Sequence, residues 1–436
     1  MQLTRLGLLV LLCGVPIFAA GVTVAGAGVL GAAWMGVWVV VAVADSVLAR
    51  RAARFEVSRE VDDKLSLGAE NSVALHLRSR CSRALRLAVK DTPPLAFDTP
   101  SRLRHATLPP QGEASVRYLT TPRSRGDFGF GDVFVRGVGR LRLSTWQVRF
   151  ATAAPVKVYP NLLQVRRYEL LARADRLREM GFRTLRIRGE GTQFESLRDY
   201  VPDDEYRDIE WKATARKRKP ITRQYEIERS QNVMLLLDAG RMMLGEVGGM
   251  TKLDYAVNAA LMLAHVACRK DDAVGLVAFG RRVESFVPPR KGTAQVGRIL
   301  EQLYSLQPAL EEPDYRAAFA LLSGRARKRA LVVIFTDLVD ADASQRLLAH
   351  VIALHPRHLP LLVTLRDTDL ERMAARVPED EEQAYQKAIA AQTLAARDAA
   401  LAAVRTRGAL VLDVAPGELT VQAVNEYLRL KAAGRL

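Results

Sequence analysis

The chain has 436 residues, of which 49% are hydrophobic and 26% are charged, a composition typical of folded domains and long enough for two or three of them. Its three cysteines, Cys13, Cys81 and Cys268, are far apart and form no CxxC pair, which excludes a disulfide framework and a cysteine zinc site. The net charge of +16 favours anionic partners.

An apolar segment opens the chain, because residues 6–44 contain no charged side chain. Two stretches, 6–24 and 29–44, approach the roughly 20 residues that cross a bilayer. A cleaved signal peptide is the alternative interpretation of the first stretch. The second stretch follows at once and ends in a basic cluster, which favours a retained hairpin. We therefore predict a two-helix transmembrane hairpin with basic flanks over residues 1–54.

Basic residues indicate the orientation of this hairpin. Arg5 precedes the first stretch, and Arg50, Arg51 and Arg54 follow the second, whereas the turn between them carries no positive charge. Because positive residues stay on the cytoplasmic side of a membrane, both ends and the large soluble region are expected in the cytoplasm.

Residues 55–160 alternate apolar and polar side chains in short runs at 55–57, 73–77, 85–89, 115–119 and 133–135. Turns rich in Gly, Pro and Asp separate these runs. The pattern predicts a small β-sandwich-like module.

Residues 161–229 begin with an amphipathic helix near 162–180 and continue as a polar segment. From residue 230 onward, buried-type strands at 232–237, 273–279, 331–335, 359–365 and 409–413 alternate with helices, the first of them at 251–268. This alternation predicts a Rossmann-type, doubly wound α/β domain with a parallel sheet over residues 230–436.

The polar segment carries a long motif, GEGTQFESLRDYVPDDEYRDIEWKATAR, at residues 189–216. It resembles the signature of DUF58 proteins, roughly GxGxEFxxLRxYxPGDxxRxIxWxxxAR, and departs from it at Asp203, where the family pattern has glycine. The matching residues are Gly189, Gly191, Phe194, Arg198, Tyr200, Pro202, Asp204, Arg207, Trp211 and Arg216.

The resemblance implies that residues 230–436 form a domain similar to von Willebrand factor A. Such domains often hold a divalent cation through a DxSxS motif, a distant Thr and a distant Asp, in the so-called MIDAS site. Here Asp238 and Asp337 match the two carboxylates, but Gly240 and Met242 replace both serines. The Thr position falls near Pro313. We expect a degenerate site without bound metal or other cofactor, and Mg²⁺-dependent ligand binding is the alternative.

Two roles are open for the signature. Arg198, Arg207 and Arg216 alternate with carboxylates and could clasp two domains internally, with Trp211 as a buried apolar anchor. Alternatively, the same residues form a docking surface. A hydrolase using Asp204 or Asp238 is a weaker alternative, because no nucleophile accompanies them. Only the net positive charge suggests nucleic-acid binding, so we expect no nucleic-acid partner.

The resemblance also implies a function, since DUF58 proteins commonly accompany AAA+ ATPases of the MoxR type. The expected protein is a scaffold or adaptor rather than an enzyme. It would sit in the bacterial inner membrane and act with such an ATPase in the assembly or maturation of a protein complex.

Overall fold

The computed structural model describes residues 2–22, 27–52, 54–173, 177–182, 193–202, 204, 206, 209–226, 230–338, 341–355 and 357–436. The chain divides into two compact units, Met1–Tyr159 and Pro160–Leu436.

The first unit begins with apolar helices. Its N-terminal elements are β1 (Gln2–Leu3), α1 (Arg5–Leu12), α2 (Gly14–Ala19), a 3-10 turn at Ala20–Val22 and α3 (Ala27–Ala52). Within the described part of the chain, α3 alone has the length and composition to span a membrane, over Ala27–Ala49 at a mean hydropathy of 2.0. The predicted two-helix transmembrane hairpin is therefore wrong.

Pro16 gives the physical reason for this correction. It lies in the first turn of α2, and proline lacks the N–H that would bond to the carbonyl of Leu12 in a continuous helix. The first apolar stretch therefore breaks at Cys13. It forms two short helices instead of one long one.

The rest of the first unit is β structure. Its strands are β2 (Phe55–Val61), β3 (Lys64–Ser66), β4 (Asn71–Ser79), β5 (Leu85–Lys90), β6 (Phe97–Asp98), β7 (Leu103–Leu108), β8 (Glu113–Pro122), β9 (Gly126–Phe130), β10 (Val133–Val138), β11 (Ser144–Phe150) and β12 (Ala154–Tyr159). They form sheets in the orders β1-β11-β10-β5-β7, β2-β4-β8-β6 and β3-β12-β9. All pairs in these sheets are antiparallel except β3 with β12.

The second unit mixes helices and strands. Its helices are α4 (Leu162–Arg173), α5 (Trp211–Lys217), α6 (Lys252–Arg269), α7 (Thr293–Ser305), α8 (Tyr315–Arg325), α9 (Ala341–Leu354), α10 (Thr368–Ala375), α11 (Glu381–Thr406) and α12 (Leu419–Ala432). Its strands are β13 (Gln193–Asp199), β14 (Ile221–Glu226), β15 (Asn232–Asp238), β16 (Glu246–Val247), β17 (Met250–Thr251), β18 (Ala273–Phe279), β19 (Val283–Arg290), β20 (Leu331–Phe335), β21 (Leu359–Leu365) and β22 (Leu410–Val414).

Six of these strands form the central sheet, in the order β19-β18-β15-β20-β21-β22. Five strands run parallel, but β19 pairs antiparallel with β18. The sheet is therefore mixed. Two antiparallel two-stranded sheets, β13-β14 and β16-β17, accompany it. The predicted Rossmann-type, doubly wound parallel sheet over residues 230–436 is therefore wrong.

Alternate residues of β15 supply two apolar cores. Leu235 and Leu237 pack with residues of α6, α7 and α12 on one face, whereas Met234 and Leu236 pack with α8, α9 and α11 on the other. A strand that is buried on both faces consists of consecutive apolar residues. The sequence of β15 contains such a run. Because β15 and β20 are parallel neighbours, Asp238 and Asp337 lie at the same edge of the sheet.

Candidate functional site

The signature folds as a hairpin of β13 and β14 with α5 between them, and we call it the signature hairpin. Ile209 pairs with Thr222 across it, and the side chains of Ile209 and Ile221 are buried. The hydroxyl of Thr214 accepts a hydrogen bond from the backbone N–H of Ile221 at 3.0 Å. The apolar anchor of the hairpin is therefore isoleucine rather than the predicted Trp211.

Internal ion pairs hold the base of the signature hairpin. The Arg198 guanidinium bonds to Asp204, whose second oxygen accepts the Val201 N–H at 3.0 Å. The Val201 N–H and the Arg198 charge hold the pKa of Asp204 below its usual range. Lys219 pairs with Asp199 at 2.7 Å. The structure thus brings together Arg198 and Asp204, two of the predicted signature residues.

Trp211 is 67% exposed, so the prediction that it is buried as an anchor is wrong. It shares a concavity of 410 Å³ with Tyr200 and Tyr206. The Tyr206 side chain is 76% exposed, and its ring centroid lies 6.0 Å from that of Tyr200. Arg218 and Lys219 also line the concavity. We call these three aromatic residues with their two cations the aromatic surface.

The remaining signature residues are distributed as follows. Phe194 belongs to β13, opposite Tyr225 of β14. Pro202 and Arg216 are exposed. Gly189, Gly191 and Arg207 lie outside the described residues.

Asp238 ends β15 and is fully buried. Its carboxylate accepts hydrogen bonds from the Thr336 hydroxyl at 2.7 Å, the Tyr315 hydroxyl at 2.9 Å and the Gly240 N–H at 2.7 Å. Burial raises the pKa of Asp238, although these three donors oppose the shift. Its oxygens are thus saturated by donors from within the fold.

Asp337, at the end of β20, is neutralised by buried cations. The Lys252 ammonium lies 2.6 Å from its carboxylate and 3.6 Å from that of Asp367. The Arg397 Nε is 3.5 Å from Asp337, and the same guanidinium bonds to Asp413 at 2.7 Å. We call these five side chains the ionic edge. Buried charges of opposite sign in this arrangement offset part of the cost of removing each from water.

The ionic edge occupies the position where the resemblance implies a divalent cation. A Cβ at Gly240 would meet Pro313 Cδ at 2.7 Å and the Glu311 carbonyl oxygen at 3.0 Å, so a serine hydroxyl has no room there. Among the described residues, no group of three or more His, Cys, Asp and Glu side chains is arranged to hold a metal. The Lys252 ammonium supplies positive charge beside Asp337.

Sequence reasoning missed Lys252, Arg397, Tyr315 and Tyr206. The sequence does give an indication for Lys252, which is the first residue of α6. A cation at the N-terminus of a helix is unfavourable with the helix dipole, so its presence there indicates a nearby anion. The sequence gives no such indication for Arg397. This residue lies in the long, alanine-rich helix α11, and only the fold brings it to Asp413.

Comparisons with known proteins agree with the resemblance carried by the signature. Residues 196–409 match the family described as "Protein of unknown function DUF58". An uncharacterized protein of Mycobacterium tuberculosis is 25% identical over 198 residues, which cover 45% of this chain and 62% of that protein. The uncharacterized protein YeaD of Bacillus subtilis is 24% identical over 147 residues, covering 34% of this chain and 35% of YeaD. The match thus spans less than two thirds of these relatives.

Among solved structures, a PapD-like domain of human CEP192 is 15% identical. The match covers 25% of this chain and 87% of that domain, at a TM-score of 0.20. The CARDB domain of a Pyrococcus furiosus protein is 12% identical, with 24% and 88% covered at a TM-score of 0.17.

Proposed function

We propose that this protein is a membrane-anchored, non-catalytic adaptor that binds a protein partner through the aromatic surface of the signature hairpin. The observation that carries the proposal is the exposure of two large aromatic side chains, Tyr206 and Trp211, that line one concavity. Large exposed aromatic side chains in a concave surface are typical of the few residues that dominate protein–protein binding. Arg218 at the same site favours a partner surface with acidic groups, whereas Lys219 is already paired with Asp199.

The partner that we propose is a MoxR-type AAA+ ATPase. The support for it is the resemblance to DUF58 proteins. If Arg218 contacts acidic groups of the partner, the affinity of the complex should fall as the salt concentration increases.

The two carboxylates at the ends of β15 and β20 support a non-catalytic role. Asp238 accepts three internal hydrogen bonds, and Asp337 is paired with Lys252. A general base must reach the proton that it removes, and both carboxylates are instead buried and engaged. The predicted likeness to von Willebrand factor A stays a prediction, favoured by the position of these two carboxylates at neighbouring strand ends. Metal-dependent ligand binding is disfavoured because the Lys252 ammonium already pairs with Asp337 and would repel a cation.

The membrane anchor that we propose is α3, the helix of the described residues that is long and apolar enough to cross a membrane. Near its C-terminal end, Asp45 accepts the Leu141 N–H from a loop of the β-rich part at 2.8 Å. The basic cluster Arg50, Arg51 and Arg54 follows the apolar segment and favours a cytoplasmic position for that loop.

Alkaline carbonate washing of membranes tests the anchor. The full chain should stay in the membrane pellet, because peripheral contacts are released by this treatment and apolar insertion is not. Release of the intact chain would contradict the anchor.

Co-purification tests the partner. Full-length protein carrying Tyr206→Ala should recover less of the ATPase than the unmodified chain. Tyr385→Ala is the matched control, because Tyr385 is 69% exposed on α11, outside the aromatic surface. Equal recovery with both variants would contradict the proposed docking.

A further inference from the structure

A groove in the first unit separates the C-terminal half of α3 from two loops of the β-rich part. Its volume is 1230 Å³. One wall is α3 itself, with Val41, Ala44 and Leu48. The opposite wall consists of residues 80–87 and 138–142. We call this feature the basic groove because of the arginines that line it: Arg80, Arg83, Arg86, Arg140 and Arg142.

The charge of the basic groove is strongly positive. Arg80 is paired with Glu56. The other four arginines are exposed and form no ion pair with a carboxylate of the described residues. Among the described residues of the lining, Asp45 is the one acidic residue, and it is 5% exposed and accepts hydrogen bonds from the Leu141 N–H and the Ser144 hydroxyl. Within the part of the chain that the structure describes, Arg83, Arg86, Arg140 and Arg142 therefore line the groove without a carboxylate partner.

The position of the groove along α3 restricts its occupant. Val41, Ala44 and Leu48 belong to the apolar segment Ala27–Ala49, and Leu48 is 64% exposed. The end of a segment long enough to cross the hydrocarbon core lies at the level of the lipid headgroups. An occupant must therefore present anionic oxygens to the arginines and apolar chains to α3.

We propose that the basic groove binds an anionic glycerophospholipid, with its headgroup phosphate against Arg83, Arg86 and Arg140 and its acyl chains along Val41 and Leu48. Guanidinium groups bind phosphate oxygens through paired N–H donors, and basic pockets beside membrane helices select such headgroups. The proposal rests on the membrane anchor of the proposed function. A free phosphate matches the arginines but leaves the apolar wall without a contact.

The test measures lipid binding to purified full-length protein in a neutral detergent by native mass spectrometry. The protein is titrated with phosphatidylglycerol and, separately, with phosphatidylcholine. We expect preferential binding of phosphatidylglycerol. In Arg83→Gln/Arg86→Gln/Arg140→Gln, this binding should weaken on the order of 100-fold, since each basic side chain near an anionic headgroup contributes about fivefold.

Two variants control this experiment. Arg102→Gln/Arg117→Gln/Arg136→Gln removes three exposed arginines of the same unit that do not line the groove, and it should bind phosphatidylglycerol like the unmodified chain. Arg83→Lys/Arg86→Lys/Arg140→Lys keeps the positive charge and should retain much of the phosphatidylglycerol binding. Thermal melting of each variant shows whether it is folded.

Three results would overturn the proposal. They are equal loss of binding in the groove variant and the control, equal affinity for the two lipids in the unmodified chain, and displacement of the lipid by inorganic phosphate at comparable concentration. Failure of the anchor is a separate result. The groove variant keeps α3 intact, so it should remain in carbonate-washed membranes even when its lipid selectivity is lost.

Discussion

Lys252→Met tests the ionic edge most sharply. The Lys252 side chain is 6% exposed, and its ammonium lies 2.6 Å from Asp337, which is 1% exposed. Removing one partner of a buried ion pair costs about 3–5 kcal/mol, because the other charge is left uncompensated. Arg397 remains 3.5 Å from Asp337, which favours the lower value. For a domain of this size, about 3 kcal/mol lowers the melting temperature by roughly 6–12 °C.

The assay is thermal and urea unfolding of the full chain in detergent, with two comparison variants. Lys291→Met removes an exposed ion pair with Asp271, and such pairs contribute at most about 1 kcal/mol. Lys252→Met/Asp337→Asn removes both charges, and it should be more stable than Lys252→Met alone. If the double variant is as unstable as the single one, the two side chains are not coupled and the reasoning fails.

Three further outcomes are expected. Burial raises the Asp238 pKa, so the free energy of unfolding of the unmodified chain should increase as pH falls through that pKa. Asp238→Asn cannot titrate and should lose this pH dependence; a stability difference between the two proteins that is independent of pH would contradict this. Millimolar Mg²⁺ should leave the melting temperature unchanged, whereas a ligand at 100 times its Kd would add about 2.7 kcal/mol. Burial raises the pKa of Cys268 to about 11, so its alkylation near neutral pH should be slow until urea unfolds the chain, and rapid labelling of the native protein would refute its burial.

The sequence predicts the inner strands of the central sheet because burial on both faces leaves a continuous apolar run. Residues 232–237, 331–335 and 359–365 are such runs, and the structure has strands there. The start of α6 is confirmed as well. Thr251 accepts the Asp254 N–H at 3.1 Å and donates to its carboxylate at 2.8 Å. The inner strands and the start of α6 are determined by residues that are close in the sequence, so they can be predicted from it.

The antiparallel edge of the sheet was missed for a different reason. The strand β19 contains Pro288 and Pro289, which ordinarily argue against a strand. Proline is tolerated at an edge, where one side of the strand needs no hydrogen-bond partner. Reading Gly280 as a turn between two strands would have indicated the hairpin.

The candidate site was predicted less completely than the fold. Trp211 lies between Ile209 and Ala213, and that local context favoured burial, whereas the fold buries Ile209 and exposes Trp211. The ionic edge joins Lys252, Asp337 and Arg397 from distant parts of the chain. No local pattern in the sequence predicts which cation meets which carboxylate.

The most direct test of the central claim is the Kd of the purified ATPase for the full chain reconstituted in lipid nanodiscs, compared with that of its Trp211→Ala variant. An aromatic residue that dominates an interface contributes about 2–4 kcal/mol, so we predict a Kd raised roughly 30- to 1000-fold. The melting temperature should change little, because Trp211 is 67% exposed. An unchanged Kd in a folded variant would contradict the account.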